Sequence, residues 1–149
     1  MFKGVITTLA LALFVIVGPA QAADPIYTGT FSNKAVGGYD TVAYHTENKA
    51  VKGSKEFSTI WKSASWYFKS QENLDLFKAD PEKYAPQYGG YCAWAVAHDN
   101  LVKADPKTWH IDDGKLYLNY DKSVADEWLP RKGELIPKAD EKFPELLEE

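Results

Sequence analysis

The sequence predicts an α+β fold: a small antiparallel sheet made of hairpins, with short helices, in a single compact domain. Three observations carry this expectation. Extended runs at 57–61 and 65–69, and again at 109–111 and 115–120, flank short polar turns, the pattern of β-hairpins. Between the two pairs, Ser70 opens a helical pattern with a residue whose hydroxyl accepts from free backbone N–H groups. Aromatic residues make up 14% of a 149-residue chain, a length that suits one domain and a composition that suits a packed core rather than disorder.

Taken in order, the chain begins with the pattern of an export leader. Lys3 gives a short positive start, residues 5–17 run apolar, Gly18-Pro19 breaks the run, and Ala20-Gln21-Ala22 fits the small-x-small motif of a signal peptidase. The apolar run falls short of the ~20 residues that span a bilayer. Cleavage is expected after Ala22, and the product is expected to be exported, to the periplasm. No later segment approaches a membrane span.

Residues 23–36 read as an extended lead-in. Gly37-Gly38-Tyr39-Asp40 reads as a turn and 41–45 as a short extended segment. The first hairpin follows. The helix from Ser70 carries Glu72 in its first turn, where the helix dipole favours an anion, and Leu74 and Phe77 share a face. Asp80-Pro81 ends it and starts a further helical turn through Tyr84. Residues 85–90 form a Pro/Gly loop, and 91–98 are apolar and ambiguous between helix and strand. Asp112-Asp113-Gly114 is the turn signal of the second hairpin. Residues 123–129 predict a helix closed by Pro130. Residues 130–149 predict a polar helical tail, one helix or two, interrupted by Pro137 and Pro144.

Charge and cysteine count exclude several functions. Lys and Arg number 17 against 21 Asp and Glu, for a net charge of -4, so no basic face is offered to nucleic acid. The single Cys excludes an internal disulfide framework and a multi-thiolate zinc site within one chain. No P-loop, dinucleotide or Cys-x-x-Cys spacing occurs.

The soft or borderline ligands after the leader are His45, Cys92, His98 and His110; the only Met is Met1. A thiolate with imidazoles suits copper or zinc. Cys92 and His98 are six residues apart. That is roughly 120° off one face on a helix, and about 20 Å apart on a strand, so a bend between them is required for both to grip one ion. Cys92 has three readings: a small buried hydrophobe among Tyr91, Ala93, Trp94 and Val96, a metal ligand, or a reactive thiol. Tyr84, Tyr88, Tyr91 and Trp94, spaced around the Pro/Gly loop, are the candidate lining of a small-ligand pocket or filling for the core.

The run Gly38-Tyr39-Asp40-Thr41-Val42-Ala43-Tyr44 resembles the opening motif of exported YHS-domain proteins. So do Phe68, Asn73, Phe77 and Pro81-Glu82-Lys83-Tyr84, the block Tyr84-Ala85-Pro86-Gln87-Tyr88-Gly89-Gly90-Tyr91-Cys92-Ala93, and Gly114-Lys115-Leu116-Tyr117-Leu118-Asn119-Tyr120. On this resemblance residues 37–129 form a YHS-like domain. The resemblance implies a short module of a kind often found in metal-handling proteins, some of which carry paired cysteines; this chain has only Cys92. The expected function is a non-enzymatic exported module that binds a transition metal or small ligand near Cys92. The alternatives are a Cys-dependent enzyme or thiol redox sensor, and a structural or partner-binding domain with Cys92 in its core and an unknown partner.

Overall fold

Two antiparallel hairpins, unconnected to each other by strand pairing, anchor the computed structural model, which describes Gly18 and residues 22–149. The leader expected over residues 1–22 lies outside the described residues, apart from Gly18 and Ala22. In the first hairpin, β1 (Ser54–Trp61) pairs with β2 (Ala64–Phe68), Trp61 opposite Ala64, with an irregularity between Ser54 and Ser58. Lys62 and Ser63 both take positive φ, the backbone of a turn whose twist matches that of the strands. In the second, β3 (Trp109–Asp112) pairs with β4 (Lys115–Leu118) through Asp113 and Gly114, both also at positive φ. The expected α+β architecture of hairpins and short helices is the one observed.

The segment at 41–45 is helical rather than extended: α1 spans Thr41–Glu47. The reason is Asp40. Its Oδ1 accepts from the N–H groups of Val42 (2.9 Å) and Ala43 (3.2 Å), satisfying the free donors of the first turn. Its Oδ2 accepts from Lys69 N–H and from Asn73 Nδ2 (2.8 Å). One fully buried carboxylate therefore ties α1 to the end of β2 and to the next helix, α2 (Gln71–Ala79). Ser70 caps α2 through Asn73 N–H, as the sequence predicts, and Pro81 opens α3 (Pro81–Tyr84).

A first core gathers between α1, the first hairpin, α2 and α3. Trp66 stacks on Phe77 at 4.9 Å between ring centroids, and Trp61 and Phe68 close around the same ring. The second core lies among α4 (Ala93–Ala97), α5 (Lys122–Trp128) and α6 (Lys132–Glu148), around Val96, Tyr117, Trp128 and Leu135. β4 joins the two. Leu116 and Leu118 enter the first core while Tyr117 enters the second, as alternation along a strand requires.

Pro137 and Pro144 do not interrupt the C-terminal segment; α6 is one helix containing both. Each proline removes a helical N–H donor, at a cost of about 3 kcal/mol in an exposed helix. Burial of Leu135, Ala139 and Leu146 in the second core offsets that loss. The lead-in forms no strand but is laid against the body of the fold. Tyr27 N–H donates to the Gly89 carbonyl, and Ser65 N–H to that of Asn33. Gly89 permits the close approach: at φ +62, a Cβ there would sit 1.8 Å from the Pro25 oxygen.

Candidate functional site

Cys92 and His98 line one cavity. Residues 90–92 run beside residues 102–104, with Cys92 N–H donating to the Val102 carbonyl at 2.8 Å and Tyr91 bridging Lys103. The chain then turns sharply into α4, for which Cys92 is the residue before the first turn and His98 the residue after the last. The expected bend between Cys92 and His98 is not what separates them: the helix Ala93–Ala97 does, and both residues reach the same cavity from its two ends. The short helix lies along a cavity of about 230 Å³, with Cys92, Trp94, Ala95 and His98 on one side and Val102, Tyr120 and Val124 on the others.

The polar groups of the cavity are constrained. The Cys92 thiol is 1% exposed and donates to Asn119 Oδ1 at 3.5 Å. The same oxygen accepts from Trp94 N–H at 3.1 Å, so Asn119, itself buried, holds the start of α4. Burial pushes the Cys92 thiol up from its ordinary value; backbone contacts of Ala95, Tyr120 and Trp94 oppose the rise only in part. The helix terminus thus does not yield a thiolate, and the neutral thiol is the resting form. The His98 ring stacks on Trp94 at 3.8 Å and 21°, and its Nδ1 lies 2.7 Å from the Trp94 carbonyl oxygen. A carbonyl only accepts, so the neutral ring carries its proton on Nδ1 and leaves the Nε2 lone pair free.

The other candidate ligands are elsewhere. His45 sits on α1 in edge contact with Tyr84, and its Nε2 is buried without a partner. Burial, then the Lys83 ammonium, holds its imidazole below the ordinary value. His110 is on β3, edge-on to Trp128. Among the described residues no group of three or more His, Cys, Asp or Glu side chains comes together to hold a metal ion.

The aromatic set also divides. Tyr84 belongs to the first core. Tyr88 donates to Asp140 Oδ1 at 2.9 Å and Tyr91 to the Asp24 carbonyl at 2.9 Å, so both hydroxyls are engaged away from the cavity. Of the four, Trp94 lines the Cys92 cavity. Sequence reasoning missed Asn119 and, among the lining residues, Asn100, Val102, Tyr120 and Val124. Asn119 alone had a visible signal, a polar residue inside the apolar run 116–120.

A larger cleft of about 470 Å³ lies where the lead-in, α3 and α6 meet. Its charged groups are largely spoken for: Lys62 pairs with Glu82 at 3.1 Å, Asp80 caps α3, and Lys83 lies over the Tyr84 ring. None of the candidate site residues lines it.

No curated protein and no solved structure matches the chain. The YHS domain model matches residues 42–88, a span that covers α1, the first hairpin, α2, α3 and Tyr88 and stops short of Cys92. The match falls on part of the first core, without Asp40, and the Cys92 cavity is built from residues that follow the matched span. Over that span, about a third of the chain, the sequence is similar to the YHS domain.

Proposed function

We propose that the protein is an exported, non-enzymatic YHS-type module that binds a small, largely apolar ligand in the Cys92 cavity. One observation carries the reading: Cys92, Trp94 and His98, all from a single helical turn and its flanks, converge on one apolar-walled cavity. Ligand sites are concave and mostly apolar with few polar groups, and drug-sized ones run roughly 300–1,000 Å³. At about 230 Å³ this cavity suits a smaller molecule. The free Nε2 of His98 would accept one hydrogen bond from it.

The donor set does not fit zinc, which takes four ligands in a structural site and three in a catalytic one. A soft monovalent ion, copper(I), is the metal reading that the shared cavity favours, since thiolate ligands select it. It would require the Cys92 proton to leave and the contact with Asn119 to break. The Cys-dependent alternative is weakened because the thiol hydrogen goes to Asn119 rather than to an imidazole.

Titration of the protein purified under reducing conditions separates these readings. Saturable binding of neutral fragments such as indole, lost in Val124→Trp, supports the small-ligand reading. Copper(I) binding lost in both Cys92→Ala and His98→Ala replaces it with the metal reading. Binding of neither kind overturns both. Export rests on the leader at 1–22 and is tested by the N-terminal residue of the protein recovered from a periplasmic extract, expected to be Ala23.

A further inference from the structure

The lead-in immediately after the expected cleavage site is stitched to the fold from its first residue. Ala23 N–H donates to the Leu147 carbonyl at 3.1 Å. The Asp24 carbonyl accepts from the Tyr91 hydroxyl, Ile26 is buried in the first core, and Tyr27 N–H donates to Gly89. Leu147 stands in the last turn of α6, where carbonyls have no partner within the helix and the helix dipole is negative. That turn carries no basic residue and holds Glu145 and Glu148. It therefore places acidic side chains where a cation is favoured.

We infer that cleavage between Ala22 and Ala23 completes the fold: the α-ammonium group it creates docks on the Leu147 carbonyl and adds a cation at the end of α6, beyond Lys142, which lies 3.8 Å from Glu145 and 3.0 Å from Asp99. The reaction is hydrolysis of the Ala22–Ala23 peptide bond. Water provides the hydroxyl to the Ala22 carboxylate and a proton to the Ala23 amine, and the amine is protonated at neutral pH. Before cleavage the same nitrogen is an amide that offers one neutral donor. After it, the nitrogen offers a full charge and further donors at the same place. The expected leader thus ends at the residue before Ala23, whose N–H is bonded to Leu147.

The inference rests on the proposed export leader, but its physical content is testable on purified protein. The chain beginning at Ala23 is compared with one carrying Gly-Ser ahead of Ala23, which keeps the backbone N–H and moves the charge away, and with one N-acetylated at Ala23, which keeps the N–H and abolishes the charge. A cation at a helix C-terminus predicts a Tm higher by roughly 1–4 °C for the free Ala23 form than for either other form at low ionic strength. The difference should shrink in 1 M salt, where the Debye length is about 3 Å. Equal Tm values for all three forms at low salt overturn the inference. N-terminal sequencing of the exported protein is read separately: a first residue other than Ala23 defeats the leader assignment whatever the Tm comparison gives.

Discussion

The imidazole of His98 lies flat on the indole of Trp94, ring centroids 3.8 Å apart, with Nδ1 2.7 Å from the carbonyl oxygen of the same Trp94. One residue thus fixes both the plane of the histidine and its tautomer. The hydrogen bond at Nδ1 leaves Nε2 as the unprotonated nitrogen of a residue that lines the Cys92 cavity. Nitrogen-15 spectra of the neutral imidazole are expected to show Nδ1 protonated and Nε2 bare. Trp94→Ala removes the stacking indole but keeps the carbonyl, so the Nδ1-protonated tautomer should persist while the ring loses its fixed plane. The opposite tautomer in the wild type would remove the acceptor from the proposed site.

The buried Cys92 thiol predicts an alkaline loss of stability. Its folded pKa is raised above the unfolded one, so above pH about 9 the unfolded chain sheds a proton that the native chain retains. The native state then binds more protons than the unfolded state, and stability falls as pH rises. Tyr117, pushed up to about 12 by burial, and Tyr44 and Tyr88, pushed up further by the same cause, extend the fall from pH about 10 upward. Urea midpoints measured from pH 7 to 11 should be flat to about 9 and then decline. Cys92→Ala should remove the earliest part of the decline. A profile for Cys92→Ala that is superimposable on wild type contradicts this assignment.

Asp40 is the keystone of the first core. Replacing it with Ala strands four N–H donors, those of Val42, Ala43, Lys69 and the Asn73 side chain. A buried donor left unsatisfied costs roughly 1–3 kcal/mol, and several are left here, against about 1 kcal/mol for the simple cap at Ser70. Urea unfolding of Asp40→Ala and Ser70→Ala should show that difference. Equal losses would mean that Asp40 acts as a helix cap alone.

Gly89 holds the lead-in close to the body of the fold. In Gly89→Ala the new methyl meets the Pro25 carbonyl oxygen at 1.8 Å on a backbone with φ +62, so the two segments must part. The Tyr27 amide, bonded to the Gly89 carbonyl, should lose its protection from hydrogen exchange, with stability lower by about 2 kcal/mol or more. Unchanged protection at Tyr27 would show that the lead-in is held by its other contacts alone.

Much of the fold was legible in the sequence because its elements are punctuated locally. Asp113-Gly114 marks the second hairpin, Ser70 and Asp80-Pro81 bracket α2, and the alternation at 57–61 marks β1. What misled was non-local. The β-branched Thr41 and Val42 read as a strand, yet the Asp40 carboxylate caps a helix there while its second oxygen reaches Lys69 and Asn73 across the fold. Pro137 and Pro144 read as breaks, yet packing against α4 carries the helix through both. Of the candidate site, Cys92 and His98 were visible as residue types, but the helix that lies between them was not, because 91–98 read equally as helix or strand. Val102, Tyr120 and Val124 carry no local signal, because they meet the cavity only through tertiary structure.

The central claim is that the Cys92 cavity takes a small neutral ligand, and amide spectra of the ¹⁵N-labelled reduced protein titrated with indole and phenol test it most directly. The account predicts saturable shifts confined to residues 92–102 and 119–124, absent in Val124→Trp, whose larger side chain fills the cavity. Shifts absent with both probes, or centred instead on the cleft around Pro25 and Lys115, would contradict it.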